Sequence, residues 1–272
     1  MTRYRALPKL MVAPNGARRG KPDHPALPVT LEETISTARA CVAEGADGLH
    51  LHVREAGGTH SLDTGLYKDA IAALSDALPD LFLQVTSESG GRYSAEEQRA
   101  MIRDLRPAFV SVALREMIRA PDDRPAAKEL YYWAAANEVV IQHIVYTPDE
   151  LNWFLREIDR KTIPGDRHQL QLVLGSYDST APPEPGTLDA YIAPLTGRHA
   201  EQQFDWMVCA FGPLETACLV EAARRGGKLR VGFENSLWNA DGSIARDNAH
   251  RVREVSRALD AARRDGSDLI AS

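Results

Sequence analysis

The sequence predicts an α/β fold of the (β/α)8 TIM-barrel type, a parallel eight-stranded barrel, on three observations. Short β-rich apolar runs alternate strictly with helical stretches along the chain. Most of those runs are almost continuously apolar, as strands are when both faces of a parallel sheet are covered. Eight such units in 272 residues match the count and size of one closed barrel, so residues 1–272 are read as a single domain.

The strands are expected at 9–13, 48–53, 81–86, 109–114, 139–146, 170–174, 206–211 and 229–233. The helices between them fall at 30–44, 65–77, 94–105, 124–136, 148–159, 188–194, 213–225 and 244–264, with apolar residues three and four apart. Thr30 and Ser94 each precede a pair of glutamates, the pattern of a capped helix start. Thr147 likewise precedes an acidic pair, Asp149 and Glu150, with Pro148 at the first helical position. The sixth unit is the least regular, because Ala181-Pro-Pro-Glu-Pro-Gly186 reads as a loop before a short helix. Consecutive βα units imply parallel strands joined by right-handed crossovers.

Composition narrows the function. A formal charge of −6 and a pI near 5.8 argue against nucleic acid or an anionic membrane as partner. Cys41, Cys209 and Cys218 are scattered, with no Cys-x-x-Cys pair, which fits a reducing, cytoplasmic setting rather than a disulfide framework. The N-terminal residues lack the apolar region of a signal peptide, and no later stretch is long enough to span a bilayer.

The chemistry concentrates in Asp47-Gly-Leu-His-Leu-His-Val-Arg54. Alternation along a strand sends His50 and His52 to the same side, their Cα atoms roughly 7 Å apart, within reach of one metal ion. A single strand histidine is ordinarily a packed core residue, so the fold has to carry the argument further. In these barrels the functional rim is the C-terminal end of the strands, and both histidines occupy that end of the second strand. Glu234 occupies the matching end of the eighth strand. Strand eight neighbours strand one, and strand one neighbours strand two, so Glu234 can face the histidines. Two histidines, a glutamate and an open fourth position form a recurring catalytic zinc set.

Other strand ends add polar groups. The first leads into a loop holding Asn15, Arg18 and further cations. The third ends in Thr86-Ser-Glu-Ser-Gly-Gly91, small residues before a helix start that suit a carboxylate or phosphate, although an ordinary capping loop would look alike. The fifth offers Gln142, His143 and Tyr146, and Arg230 lies four residues before Glu234 on the eighth strand, on the same face and deeper in the barrel.

Asn15-Gly-Ala17, Gly45-Ala46, His50-Leu-His-Val-Arg54, Thr86-Ser87, Gly175 and Arg230-Val-Gly-Phe-Glu-Asn235 together resemble the β-keto acid cleavage enzymes, over almost the whole chain and in order. The resemblance implies a zinc-dependent barrel, usually a homotetramer, with a homodimer the other expectation. It implies conversion of a β-keto acid plus acetyl-CoA into acetoacetate and a new acyl-CoA. It makes His50, His52 and Glu234 the metal ligands (Zn2+, or another divalent ion), Arg230 the buried catalytic-site arginine, and Asn15, Thr86 and Ser87 part of the substrate site. Asn235 stands where the family typically has an aspartate, and Arg18 stands where the first loop often has a glutamate. An asparagine cannot take a proton from the carbon between the keto and carboxyl groups, so His143 and Glu88 become the candidate bases. Arg18 in turn favours an anionic substrate tail. Two other readings stay open at this level: an amidohydrolase-like metal hydrolase, and a metal-binding oligomer that has lost catalysis.

Overall fold

The computed structural model of the chain describes residues 5–179, 181–196 and 203–264. Its strands are β1 (Leu10–Val12), β2 (Gly48–Leu51), β3 (Val53–Arg54), β4 (His60–Ser61), β5 (Phe82–Thr86), β6 (Phe109–Ala113), β7 (Val140–Val145), β8 (Arg167–Leu174), β9 (Gln203–Ala210) and β10 (Lys228–Val231). Its α-helices are α1 (Leu31–Ala43), α2 (Thr64–Ala77), α3 (Ala95–Leu105), α4 (Leu114–Met117), α5 (Arg124–Ala136), α6 (Pro148–Asp159), α7 (Asp189–Leu195), α8 (Glu215–Arg224) and α9 (Asn248–Arg264). Eight strands close a parallel barrel in the order β1-β10-β9-β8-β7-β6-β5-β2, with β10 pairing back onto β1. The expected fold class is therefore the observed one.

Helix starts follow the sequence signals. Thr30 and Ser94 form capping boxes with Glu33 and Glu97, and Thr147 accepts from the Glu150 amide ahead of Pro148. The main core lies between barrel and helices, where Leu49, Leu51, Val110, Val112, Leu170 and Leu172 meet Tyr67, Leu74, Leu130 and Phe154. Among the described residues no helix is long and apolar enough to cross a membrane.

The structure departs from expectation at strand ends. The second strand stops at Leu51 rather than at 53, and Val53–Arg54 leave the barrel to pair antiparallel with His60–Ser61. Arg54 fastens this excursion, its guanidinium donating to the carbonyls of Gly16, Arg19 and Gly58. The sixth barrel strand begins at Arg167 rather than at 170, because its polar start still pairs with β9. The last strand ends at Val231. Gly232 turns the chain at φ +141°, and a Cβ there would lie 2.4 Å from the Ala13 carbonyl oxygen.

Candidate metal centre and active-site chamber

His50, in register with Gln84 across β2 and β5, faces the barrel interior. His52 sits in the break after β2, and its carbonyl is held by the Asn15 amide at 3.3 Å. Glu234 comes from the turn after β10, where its backbone N–H donates to Ala13 O at 3.1 Å. Its side chain runs against Gly16, where φ is +63° and a Cβ would lie 2.5 Å from Glu234 Cγ. The first loop therefore needs glycine at that place for two reasons.

These elements converge on one point. His50 Nε2 and His52 Nε2 are 3.0 Å apart, and Glu234 Oε2 lies 3.4 Å from the latter and 3.6 Å from the former. Ligand atoms bound at about 2.0–2.1 Å to a tetrahedral ion stand about 3.3–3.4 Å from one another, so the spacing fits a divalent metal. The donor chemistry fits as well. Burial pushes the imidazoles of His50 and His52 down to about 4 and about 3, against the pull of Glu234, so both are neutral ligands at neutral pH. Glu234 Oε2 is a buried carboxylate oxygen without a hydrogen bond among the described residues, an orphan that a cation would satisfy. The other oxygen, Oε1, accepts from Arg230 Nη2 at 3.0 Å. Despite burial, Arg230 and the two histidines hold Glu234 well below the usual carboxylate range.

Above the three donors opens a chamber of about 480 Å3 lined by Arg18, Thr86, Glu88, Tyr146, Tyr177 and Arg230 among others. Glu88 Oε2 is 3.9 Å from His52 Nε2. Burial and the carboxylates of Glu234 and Glu116 push the Glu88 carboxyl up to about 8. Arg18 is half-exposed at the mouth, 4.9 Å over the Tyr177 ring and 3.8 Å from Asp178. Across the mouth, Arg115 lies 3.5 Å over the Tyr146 ring and 3.6 Å from Glu150.

Not every expected residue reaches this chamber. His143 faces the opposite side of β7, packed between the rings of Tyr131 and Phe154 at 5.1 and 4.9 Å, so the structure does not bring it to the candidate site. Its neighbour Gln142 is the side chain that enters the barrel. Asn15 ties the first loop to Pro28 and His52, and Ser87 Oγ donates to Ser111 O at 3.0 Å; both are buried and neither lines the chamber. Asn235 is fully buried with neither amide atom hydrogen-bonded among the described residues, beside a smaller cavity behind Tyr177 and Phe211.

Two contributions, from His60 and Gln84, were not singled out in the sequence, and Glu116 was visible there only as a polar residue at the fourth strand end. His60 packs tilted against His52 with ring centroids 5.1 Å apart, and its Nε2 lies 2.8 Å from Glu88 O. Glu116 shapes the 89–91 loop by accepting from Ser89 N and Oγ. Gln84 contacts His50 Nδ1 at 2.8 Å. A glutamine inside an otherwise apolar strand run was the available clue to the last.

A family model for beta-keto acid cleavage enzymes matches residues 9–267. The 3-oxoadipate:acetyl-CoA acetyltransferase of Cupriavidus necator is 25% identical over 257 residues, covering 91% of this chain and 86% of that protein. The 3-keto-5-aminohexanoate cleavage enzyme of Acetoanaerobium sticklandii is 26% identical over 247 residues, covering 89% and 88%. Among solved structures, a ternary complex of ObcA with a C4-CoA adduct and oxalate superposes with a TM-score of 0.62 at 17% identity. That match covers 89% of this chain and 65% of the ObcA chain.

Proposed function

The chain belongs to the β-keto acid cleavage enzyme family, and from that membership we propose that it transfers between a β-keto acid and acetyl-CoA, releasing acetoacetate and a new acyl-CoA. The observation that carries this reading is the convergence of His50, His52 and Glu234 at the floor of a chamber that also holds Glu88 and Arg230. His50, His52 and Glu234 would hold the metal, with zinc the expected ion. When bound, it supplies a Lewis acid for the keto oxygen of the substrate.

The chain's own residues account for the rest. Glu88 takes the proton from the carbon between the keto and carboxyl groups; of the chamber carboxylates outside the ligand set it is the one 3.9 Å from a ligand histidine, a cation held beside it would offset part of what raises its carboxyl, and Asn235 has no basic atom to offer. The carbanion so formed attacks the thioester carbonyl of acetyl-CoA. The CoA thiolate expelled in that attack adds to the original keto carbonyl, the bond from that carbonyl to the deprotonated carbon breaks, and the acetoacetate carbanion takes its proton back from Glu88 while the remaining acyl group stays on CoA. Arg230 keeps Glu234 ionised through the 3.0 Å contact. Thr86 lines the wall where the substrate carboxylate would rest, and Arg18 would receive an anionic tail at the mouth. The name of the Cupriavidus relative, whose substrate 3-oxoadipate carries a second carboxylate, agrees with that choice. Assembly as a homotetramer or homodimer is part of the same proposal.

The test combines metal analysis of the purified protein with acetoacetate release from a panel of β-keto acids, with and without acetyl-CoA. Wild type should carry about one metal ion per chain and require acetyl-CoA, and His52→Ala should lose both metal and turnover. Full metal and full activity in His52→Ala would end this reading.

A further inference from the structure

We propose that Gln84 and Gln142 form an amide relay that fixes the tautomer of His50, presenting its Nε2 lone pair to the metal site. The proposal rests on the metal-site reading for its purpose, although the relay itself is a property of the metal-free protein. Three links make it up. Gln84 Oε1 lies 2.8 Å from His50 Nδ1, Gln84 Nε2 donates to Gln142 Oε1 at 2.8 Å, and Gln142 Nε2 donates to Leu170 O at 3.2 Å. The side chains of His50, Gln84 and Gln142 are each about 1% exposed, so bulk water does not compete for any link.

The direction of the relay follows from its far end. A backbone carbonyl only accepts, so the end of Gln142 that meets Leu170 O must be its NH2 group. That leaves Gln142 Oε1 facing Gln84, which must answer with its own NH2. Gln84 Oε1 then faces His50, and Nδ1 must carry the hydrogen. With one proton on a neutral imidazole, Nε2 is left as the lone pair, and Nε2 is the atom that stands 3.0 Å from His52 Nε2 and 3.6 Å from Glu234 Oε2. A β8 carbonyl thus sets the proton position on a β2 histidine through three hydrogen bonds. The assignment does not depend on telling amide oxygen from nitrogen, since the carbonyl anchor decides it.

The chemistry of the relay has a consequence. Metal-bound histidines commonly donate their second N–H to a carboxylate or a carbonyl, and a carboxylate there adds negative charge to the site. Two neutral amides fix the same tautomer without that charge. Gln84 and Gln142 are therefore positioning residues. His52 has no such support, because its Nδ1 lacks a hydrogen-bond partner among the described residues.

Gln142 touches neither His50 nor the candidate metal position, which makes it the informative place to cut. In Gln142→Met, a near-isosteric change, Gln84 is free to turn over and offer its NH2 to His50 Nδ1. Two-bond 1H–15N spectra of the metal-free protein should show wild-type His50 as the Nδ1–H tautomer and a mixture of both tautomers in Gln142→Met. Zinc affinity, read by competition with a chromophoric chelator, should fall about 10–100-fold. Gln84→Leu, which removes the contact to His50 directly, should give the same two changes, and circular dichroism with thermal melting identifies which variants are folded. An unchanged Nδ1–H tautomer in a folded variant overturns the relay, whatever happens to zinc. If wild type binds no zinc while the variants still show the tautomer change, the metal reading is sunk and the relay stands.

Discussion

Arg230 and Glu234 form a buried ion pair four residues apart, with Nη2 and Oε1 separated by 3.0 Å and both side chains under a tenth exposed. The pair leaves the second carboxylate oxygen pointing at two neutral imidazoles. Glu234 therefore divides its charge between a fixed guanidinium and the place where a metal would sit.

That division predicts the behaviour of Arg230→Met. Removing one partner of a buried pair strands the other charge and costs about 3–5 kcal/mol. A divalent cation bound by Glu234 would restore much of that loss, because it supplies the missing positive charge. In thermal melts, added zinc should raise the Tm of Arg230→Met by more than that of wild type. Equal shifts in the two proteins would mean that Glu234 does not share its charge in this way.

Much of this site was legible in the sequence because it depends on local spacing. Two residues separated by one share a strand face, and the end of a barrel strand is the functional rim, so His50, His52 and Glu234 could be assembled before any coordinates. His143 was not legible for the same physical reason. The run Val139-Val-Ile-Gln-His-Ile-Val145 offers no alternation to say which parity faces inward, and a shift of one residue exchanges the two faces. Here Gln142 enters the barrel and His143 joins the helix layer. The clamp by Arg54 was equally hidden, because it binds carbonyls of a loop distant in sequence.

The position of Glu88 separates a base from a ligand. Glu88→Gln keeps the shape and one acceptor oxygen but removes the proton-accepting function. Loss of a positioned general base costs about 10²–10⁴ in rate. The variant should therefore keep wild-type metal content while kcat for acetoacetate release falls by that range. A fall in metal content parallel to activity would instead assign Glu88 to the ligand set.

At the mouth, Arg18 meets, among the described residues, the loose 3.8 Å contact with Asp178 and the face of the Tyr177 ring, and the Arg18 and Asp178 side chains are largely exposed. Its guanidinium is free to turn toward a substrate tail. Reversing an exposed charge is worth about a factor of ten. Arg18→Glu should lower kcat/KM about tenfold for β-keto acids with a distal carboxylate, while substrates with neutral tails change little. Equal losses for both classes would remove Arg18 from substrate selection.

His143 makes a prediction about stability rather than catalysis. Burial between Tyr131 and Phe154, with His168 nearby, pushes its imidazole down to about 3. The unfolded chain protonates the same histidine near pH 6.5. Between those values the unfolded state binds the extra proton, so the stability that His143 allows is complete above about pH 6.5 and drains away as the pH falls toward 3. The slope from one such group approaches about 1.4 kcal/mol per pH unit. His50 and His52, lowered for the same reason, add to it in the metal-free protein. His143→Phe fills a similar volume, removes a buried Nδ1 that has no partner among the described residues, and cannot take up a proton. Urea unfolding of the metal-free proteins from pH 7.5 to 4.5 should show the variant at least as stable as wild type at pH 7.5. Its stability should then decline less steeply with acid, by about one proton. A decline as steep as that of wild type would mean that His143 is not held neutral in the folded barrel.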